Sequence, residues 1–271
     1  MMRDVGRARG FALLIVLWTL ALLALLGAQV LGTARQDARR ARNLLDAAQV
    51  EAAADGAIER AIYRLLDRTN RHWSPDGTTR TLWTGQVRIA VRIDDEADKI
   101  NPNLASVPLL QALLLQVGAD QATAATVAAS IIEWRLAGGA PGQGKSILAR
   151  YTVAGLGYAP SGAPFASIDE LAQVIGMTPE LLARLRPHLT VFTDEDSAAM
   201  AHNDIVVAQA LRAVGQLEAP ANEGFAELVS IRADARGPDH THYLARAVIR
   251  TNARPEGRRY DVLEYERLNA P

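Results

Sequence analysis

The sequence contains no cysteine among its 271 residues. This absence excludes disulfide bonds, thiolate metal sites and acylation at a lipoprotein cysteine, and it is compatible with an oxidising compartment. An excess of charge of one sign is also lacking, because 29 Lys and Arg residues balance 30 Asp and Glu residues. The composition therefore predicts no general attraction to nucleic acid or to anionic surfaces.

Charged residues are absent from one long apolar segment, residues 11–31, which follows a short basic head. At about 1.5 Å per residue, a helix over this segment matches the roughly 30 Å hydrocarbon core of a bilayer. Arg3, Arg7 and Arg9 precede it, and basic residues before a first span favour a cytoplasmic N-terminus. The sequence thus predicts a single-pass inner-membrane protein whose C-terminal part is periplasmic.

Three interpretations of the N-terminus are open. A cleaved secretory signal usually has an apolar part of only about 7–15 residues, although residues 32–34 (Gly-Thr-Ala) offer a small-residue cleavage site. A plain membrane anchor is the second interpretation. We favour the third, because Gly10 directly before Phe11, after basic residues, resembles the class III leader that prepilin peptidase removes after the glycine. Residues 1–10 are then the leader, and Phe11 becomes the N-methylated mature terminus.

The membrane segment is predicted to continue as an amphipathic helix over residues 32–68. This stretch contains no proline, and apolar residues recur at helical spacing opposite a face of Arg, Asp, Glu and Gln. The apolar positions are Leu44, Ala47, Ala48, Ala54, Ile58, Ala61, Ile62 and Leu65. We expect this stripe to pack against the protein's own sheet, with part of the helix contacting partner helices.

Beyond this helix, strand and helix patterns occupy separate parts of the chain. Residues 69–84 predict a turn-rich connector, and alternating apolar residues from Val87 to Ile93 predict a half-buried strand. Helical patterns then cover residues 107–117, 121–136, 168–175, 179–185 and 206–214. Strand patterns return over residues 227–235, 243–251 and 259–267.

This order predicts an α+β fold. An antiparallel sheet over residues 69–96 and 220–271 packs on the long helix, and an all-helical domain over residues 97–219 is inserted between its strands. Within the insertion, Asn and Ser residues before apolar runs predict helix N-caps. Ser167, with Glu170 three residues later, predicts a capping box.

The insertion also carries a specific set of short motifs. They are Lys-Ile-Asn-Pro-Asn with Lys99, Asn101 and Asn103, then Trp134-Arg135, then Phe-x-Ser-Ile-Asp-Glu-Leu with Phe165, Asp169, Glu170 and Leu171, and Gly-Met-Thr-Pro-Glu-Leu from residue 176. Together with the leader and the long helix, these motifs resemble the K-type minor pseudopilin of type II secretion systems (general secretion pathway protein K). The resemblance covers nearly the whole chain and keeps its order.

The resemblance implies a non-enzymatic structural subunit at the tip of the periplasmic pseudopilus, where it helps to initiate assembly for protein export. Its implied partners are the I- and J-type minor pseudopilins, prepilin peptidase and the inner-membrane secretion platform. The implied fold is a pilin-like core with an inserted domain of the helix-hairpin-helix (SAM-like) kind. Most pilins carry a glutamate at the fifth mature position, where this chain has Ile15. The K family lacks that glutamate too, which suits a subunit with no neighbour above it.

Calcium is reported as a feature of the family, but the loop after Arg135 does not predict it here. Family members usually continue with Asp-x-Asp, whereas residues 136–144 of this chain contain no carboxylate. Calcium needs about six to eight oxygen ligands. Weak candidates elsewhere are two acidic runs, one with Asp94, Asp95 and Glu96 and one with Asp194 and Asp196. Such runs are more often solvated turns, and the prediction requires no cofactor.

The competing function is DNA binding by a helix-hairpin-helix module in a related pilus or DNA-uptake system. The Asn101–Ser106 segment resembles the start of such a module. Its hairpins normally offer glycine amides and basic side chains to phosphate, whereas the turns at Gly118 and Gly176 are not basic, and Asp120 would repel phosphate. We therefore expect protein contacts and no nucleic acid. No nucleophile has a nearby base in the sequence, so no catalytic residue is predicted.

Overall fold

The computed structural model describes residues 6–137, 143–193, 203–216, 227–251 and 259–268. Its first element is α1 (Gly6–Leu65), a continuous helix of 60 residues. Proline, which breaks helices, is absent from this stretch, so nothing interrupts the backbone hydrogen bonds. The predicted continuation of the N-terminal segment into one long helix is therefore confirmed.

The described strands form a five-stranded antiparallel sheet in the spatial order β1-β2-β3-β4-β5. They are β1 (Asp76–Thr84), β2 (Val87–Asp95), β3 (Leu228–Arg236), β4 (His242–Thr251) and β5 (Tyr260–Leu268). Strands β2 to β5 confirm the predictions, with small shifts at their ends. The connector predicted over residues 69–84 is wrong for its second half. That half forms β1, an edge strand with no buried residue, so its sequence lacks the apolar alternation of a covered strand.

One face of the sheet packs against the C-terminal part of α1. The buried residues of α1 are Val50, Ala53, Ala54, Ala57, Ile58, Ala61, Ile62 and Leu65, and they meet alternate residues of β2, β3 and β4. The predicted packing of the apolar stripe is therefore confirmed from Val50 onward. It is wrong for Leu44, which is 71% exposed, and for Ala47 and Ala48, which are exposed as well. The turn between β3 and β4 meets α1 at Val50, where a Cβ on Gly237 would lie 2.5 Å from Val50 Cγ2, and Leu44 lies beyond this turn.

The other described α-helices lie between β2 and β3 in the chain and enclose a second hydrophobic cluster. They are α2 (Val107–Gln116), α3 (Gln121–Leu136), α4 (Gln143–Val153), α5 (Pro179–Leu185) and α6 (Ile205–Ala213). Leu109, Ile131, Leu182 and Leu211 are among the buried residues of this cluster. The fold class is thus α+β, as predicted, with a sheet and a group of helices.

Two details of this helical region differ from the prediction. Residues 168–173 form a short 3-10 helix in place of an α-helix. Helix α4 has no counterpart in the prediction, because the glycine-rich stretch before and within its first turn hides the apolar spacing of Ile147 and Tyr151. Both of these side chains are buried in the second cluster.

Candidate functional site

Residues 6–31 of the predicted leader and membrane segment lie in α1, whereas residues 1–5, which include Arg3, fall outside the described residues. Gly10 and Phe11 are consecutive residues of the helix, while the side chains of Arg7, Arg9 and Phe11 fall outside what the structure describes. Ile15 is 49% exposed, and the large apolar residues between Leu13 and Leu25 are exposed as well. Within the part of the chain that the structure describes, no helix is long and apolar enough to cross a membrane.

The motif residues of the helical region lie close together and connect distant parts of the chain. Asn101, only 3% exposed, accepts a hydrogen bond from the Asn103 amide (2.8 Å) and donates one to the carbonyl of Thr193 (2.7 Å). Asn103 Nδ2 donates to the carbonyl of Phe165 (3.0 Å), and Asn103 Oδ1 accepts from the Phe165 amide (2.7 Å). Only a carboxamide offers a donor and an acceptor in this arrangement, which explains the need for asparagine.

Arg135 holds the same segment from the other side. Its Nη1 donates to the carbonyl of Pro102 (2.7 Å) and its Nη2 donates to the carbonyl of Ala105 (3.0 Å). The guanidinium thus satisfies two carbonyl groups of the turn that leads into α2. Burial lowers the pKa of Arg135, but a guanidinium stays protonated in proteins. The role of Arg135 is therefore to position a backbone turn.

Three aromatic rings gather around Trp134, the residue before Arg135. The Phe165 ring stacks on Trp134 at a centroid distance of 6.1 Å and an interplanar angle of 11°. Tyr151 and Tyr158 pack on it at 6.0 Å and 6.3 Å. Trp134, Tyr151 and Phe165 are all buried. The two motifs are thus parts of one packing unit, and Tyr151 on α4 is a member that the sequence analysis missed.

The second half of the Phe-x-Ser-Ile-Asp-Glu-Leu motif does not form the predicted capping box. Ser167 makes no side-chain capping bond, and Glu170 Oε1 accepts from the Ala166 amide at 3.2 Å. The predicted capping box is therefore wrong, because the segment forms a 3-10 helix whose geometry differs from an α-helical first turn. Asp169 forms an ion pair with Arg186, and Leu171 is fully buried.

A buried ionic cluster joins the start of the helical region to the sheet. Glu96 is fully buried and forms ion pairs with Lys99 and with Arg246 on β4, the latter at 3.3 Å. Lys99 Nζ also donates to Ser230 Oγ on β3 (3.2 Å). Burial alone would raise the pKa of Glu96, but the charges of Lys99 and Arg246 lower it below its usual value. The sequence identified Lys99, whereas Arg246 lies 150 residues from Glu96 and gave no local signal.

The first acidic run holds its carboxylates in three separate environments. Asp94 pairs with Arg92 at 2.7 Å, Asp95 accepts from the Ala97 amide at 2.9 Å, and Glu96 pairs as described above. Burial, reinforced by the carboxylates of Asp98 and Glu96, raises the pKa of Asp95 to about 6. Asp194 and Asp196 of the second run lie outside the described residues. Among the residues that are described, no group of three or more His, Asp or Glu is placed to hold a metal ion.

The two turns considered for DNA binding are present as tight glycine turns. Gly118 has a φ of 88° and Gly176 a φ of 85°, a region that glycine occupies without steric cost. The amides that open α3 are occupied, because Asp120 accepts from Ala122 N (3.0 Å) and Thr123 N (2.9 Å). Thr178 accepts from Leu181 N (3.2 Å) at the start of α5. The amides at these two turns are thus capped from within the chain.

The helical region and the strand before it are similar to a known protein family. Residues 87–194 match the family model described as type II secretion system (T2SS), protein K. This range begins with β2 and includes the motif residues from Lys99 to Leu171. No curated protein sequence matches the chain significantly.

A solved structure shares the fold. A chain of the crystal structure of the GspK-GspI-GspJ complex from the enterotoxigenic Escherichia coli type 2 secretion system superposes with a TM-score of 0.61 at 17% sequence identity. The alignment covers 86% of the present chain and 99% of that one. The chain thus shares the fold of this structure over most of its length, and its residues 87–194 match the protein K model of type II secretion systems.

Proposed function

We propose that the protein is a minor pseudopilin at the tip of the periplasmic pseudopilus, where it helps to initiate assembly for protein export. One observation carries this proposal: the protein K domain is joined, in one chain, to a helix of 60 residues of which only the C-terminal part packs on the sheet. The N-terminal part is left with exposed apolar side chains. Such a helix suits a subunit that is stored in a membrane and later packs among other helices.

The proposed membrane segment is residues 11–31, with residues 1–10 as a leader on the cytoplasmic side. Leu13, Leu17 and Leu23 are 75%, 67% and 64% exposed, which is costly in water but favourable in hydrocarbon. We propose that prepilin peptidase cuts after Gly10 and that Phe11 is then methylated. The subunit would be a single-pass inner-membrane protein with its sheet in the periplasm.

The proposed partners are the I- and J-type minor pseudopilins and the inner-membrane secretion platform. Support comes from the solved relative, which is a complex of GspK with GspI and GspJ. In the present chain, Leu44 and Leu45 are 71% and 63% exposed on α1, just before the helix meets the sheet at Val50. Exposed leucines at this position offer a contact surface for the helix of another subunit.

Placement at the tip is supported by two features. The helices between β2 and β3 form their own hydrophobic cluster, and we propose that residues 97–219 are a separate domain of the helix-hairpin-helix (SAM-like) kind. So large an insertion is too bulky to repeat along a closely packed filament. Ile15 leaves no carboxylate to pair with a subunit above, in contrast to most pilins. No cofactor is required by this function.

The test is co-purification of the full chain with its I- and J-type counterparts after co-expression in membranes. We expect a stable complex with the wild-type chain and its loss with the double substitution Leu44→Asn and Leu45→Asn. The matched control is Leu136→Asn with Ile205→Asn, because these residues are 56% and 71% exposed but lie outside α1. A wild-type chain that never co-purifies with these partners would overturn the proposal. A complex retained by the α1 variant would move the contact away from Leu44 and Leu45.

A further inference from the structure

The face of the sheet opposite α1 is divided into a covered part and an open part. Ser230 lies on this face and is only 4% exposed, and it receives a hydrogen bond from Lys99 at the start of the helical region. The open part carries exposed arginines that are four residues apart on β2 and on β3. These residues, which we name the arginine face, are Arg88, Arg92, Arg232 and Arg236.

Strand register places these arginines directly opposite one another. Arg88 faces Arg236, and Arg92 faces Arg232. Arg232 also faces Arg246 on β4, so it lies between two other arginines. Opposed residues of antiparallel strands have Cβ atoms about 4.5–5.5 Å apart, and like charges at that distance are destabilising. The stability of the sheet therefore gives no reason for this arrangement.

Carboxylates compensate for only part of the positive charge. The ion pairs are Arg92 with Asp94 (2.7 Å), Arg236 with Asp234 (3.0 Å), and Arg246 with Glu96 and Glu264 (3.3 and 3.4 Å). Among the described residues, no carboxylate forms an ion pair with Arg88 or Arg232. Two guanidinium groups on one exposed face thus have unused hydrogen-bond donors.

We propose that the arginine face is a docking surface for a protein that presents carboxylate side chains. A guanidinium binds a carboxylate through two parallel hydrogen bonds, which a lysine cannot reproduce. Trp83, 64% exposed, lies opposite Arg88 on the neighbouring edge strand. Exposed Trp and Arg side chains are the types that contribute most binding energy at protein interfaces.

The spacing of the unpaired arginines limits how the partner can bind. Arg232 is four residues along β3 from Arg236, which faces Arg88. At about 3.4 Å per residue and about 4.8 Å between strands, the Cα atoms of Arg88 and Arg232 lie about 14 Å apart. Two carboxylates on one folded partner, separated by a similar distance, are therefore able to bind both arginines at once.

A nucleic acid fits this face less well than a protein does. Asp94 and Asp234 lie among the arginines and would repel a continuous phosphate backbone. Acidic side chains of a protein can instead lie opposite Arg88 and Arg232 alone. The surface is on the side of the sheet away from α1, so it is separate from the helix contacts of the proposed pseudopilin function.

The first experiment measures fluorescence anisotropy of a labelled oligoglutamate peptide with the full chain in detergent micelles at low salt. We expect the double substitution Arg88→Ser and Arg232→Ser to weaken binding at least about fivefold. The matched control, Arg39→Ser with Arg212→Ser, removes the same charge from exposed residues elsewhere and is expected to leave binding unchanged. Equal weakening in both variants, or none in either, would overturn the proposal. Tighter binding of oligothymidylate, lost in the face variant, would assign the surface to nucleic acid and overturn it as well.

A second measurement separates docking from a structural role. Arg232→Thr removes the central arginine of the opposed row, so we expect the thermal midpoint to stay the same or to rise. Arg246→Thr is the comparison, because Arg246 neutralises the buried Glu96, and its loss is expected to lower the midpoint. A fall with Arg232→Thr as large as that with Arg246→Thr would show that the arginine face serves folding and not docking.

Discussion

Asn103 pairs with the backbone of Phe165 through both polar atoms of its side-chain amide, across 62 residues of sequence. The pairing resembles one rung of a β-ladder in which a side chain replaces the second strand. It fixes the turn before α2 against the segment that carries Phe165. Since Phe165 also stacks on Trp134 at 6.1 Å, one asparagine connects the hydrogen-bonded turn before α2 to the aromatic rings around Trp134.

Asn103→Asp tests this pairing with almost no change of volume. The aspartate keeps an acceptor for the Phe165 amide but places a negative charge beside the Phe165 carbonyl, which loses its donor. We expect the free energy of unfolding to fall by about 1–3 kcal/mol, the cost of an unsatisfied buried polar group. Urea unfolding of the full chain in detergent, followed by tryptophan fluorescence, measures this change.

Asn43→Asp is the control for that experiment, because Asn43 is exposed on α1 and the substitution adds the same charge. Its free energy of unfolding should stay within about 0.5 kcal/mol of the wild-type value. Equal stabilities for the Asn103 and Asn43 variants would mean that the pairing with Phe165 contributes nothing to the fold.

The buried ion cluster predicts that loss of one cation alone destabilises the fold more than loss of that cation together with the charge of Glu96. Lys99→Met removes one of two cations beside the fully buried Glu96, and an uncompensated buried charge costs about 3–5 kcal/mol when one partner is lost. We expect a loss near the lower end of this range, because Arg246 remains. The double variant Glu96→Gln and Lys99→Met should recover part of the loss, since a neutral amide needs no cation. A double-mutant cycle by urea unfolding checks this expectation. Additive losses in the double variant would contradict it.

The sequence predicts the covered elements well, for a physical reason. Val87, Ile89, Val91 and Ile93 alternate because one face of β2 packs on α1, and a one-faced element always produces a periodic pattern. Strand β1 is an edge strand with no fully buried residue and produces no such pattern. Leu44 shows the opposite error: its spacing fits the apolar stripe, but spacing alone does not reveal where the sheet ends along α1.

In the candidate site, too, the sequence does not reveal which groups contact each other. Short motifs located Asn101, Asn103 and Arg135, but the groups they contact are backbone atoms that carry no sequence signal. The second cation that pairs with Glu96, Arg246, lies on β4 and is recognisable only when the strand register is known. Local sequence therefore identifies which side chains are unusual, while the topology decides what they bind.

The raised pKa of Asp95 predicts that the protein loses stability as the pH rises. Its pKa is raised to about 6, first by burial and then by the nearby carboxylates of Asp98 and Glu96, whereas an unfolded aspartate titrates near about 3.9. The folded protein therefore holds this proton more tightly, and the contribution of Asp95 to stability falls as the pH rises from about 4 to about 6. Asp95→Asn should add up to about 3 kcal/mol at pH about 7.5 and little at pH about 4. Thermal unfolding at several pH values measures the difference.

Asp120→Asn provides a control of opposite sign. Hydrogen bonds from Thr123 and Ala122 lower the pKa of Asp120, so its ionised form stabilises the fold above its unfolded pKa. The asparagine variant should be less stable than the wild type at neutral pH and similar to it in acid. A stability gain at neutral pH from both substitutions would show a general effect of reduced negative charge and would contradict the role given to Asp95.

The leader prediction is tested most directly by Gly10→Ala. If prepilin peptidase recognises Gly10 as the leader prediction proposes, we expect the alanine variant to keep residues 1–10 while the wild type begins at Phe11. Mass spectrometry of the full chain, expressed with and without prepilin peptidase, gives the N-terminal residue in each case. Gly27→Ala is the matched control, because it makes the same change within α1 but away from the proposed cleavage site, and it should be processed normally. A start near residue 29 or 36 that does not depend on the peptidase would identify an ordinary secretory signal. An intact N-terminus in every sample would identify a plain anchor, because such an anchor is not cleaved. Removal of residues 1–10 that depends on both Gly10 and the peptidase would identify a pilin-class leader.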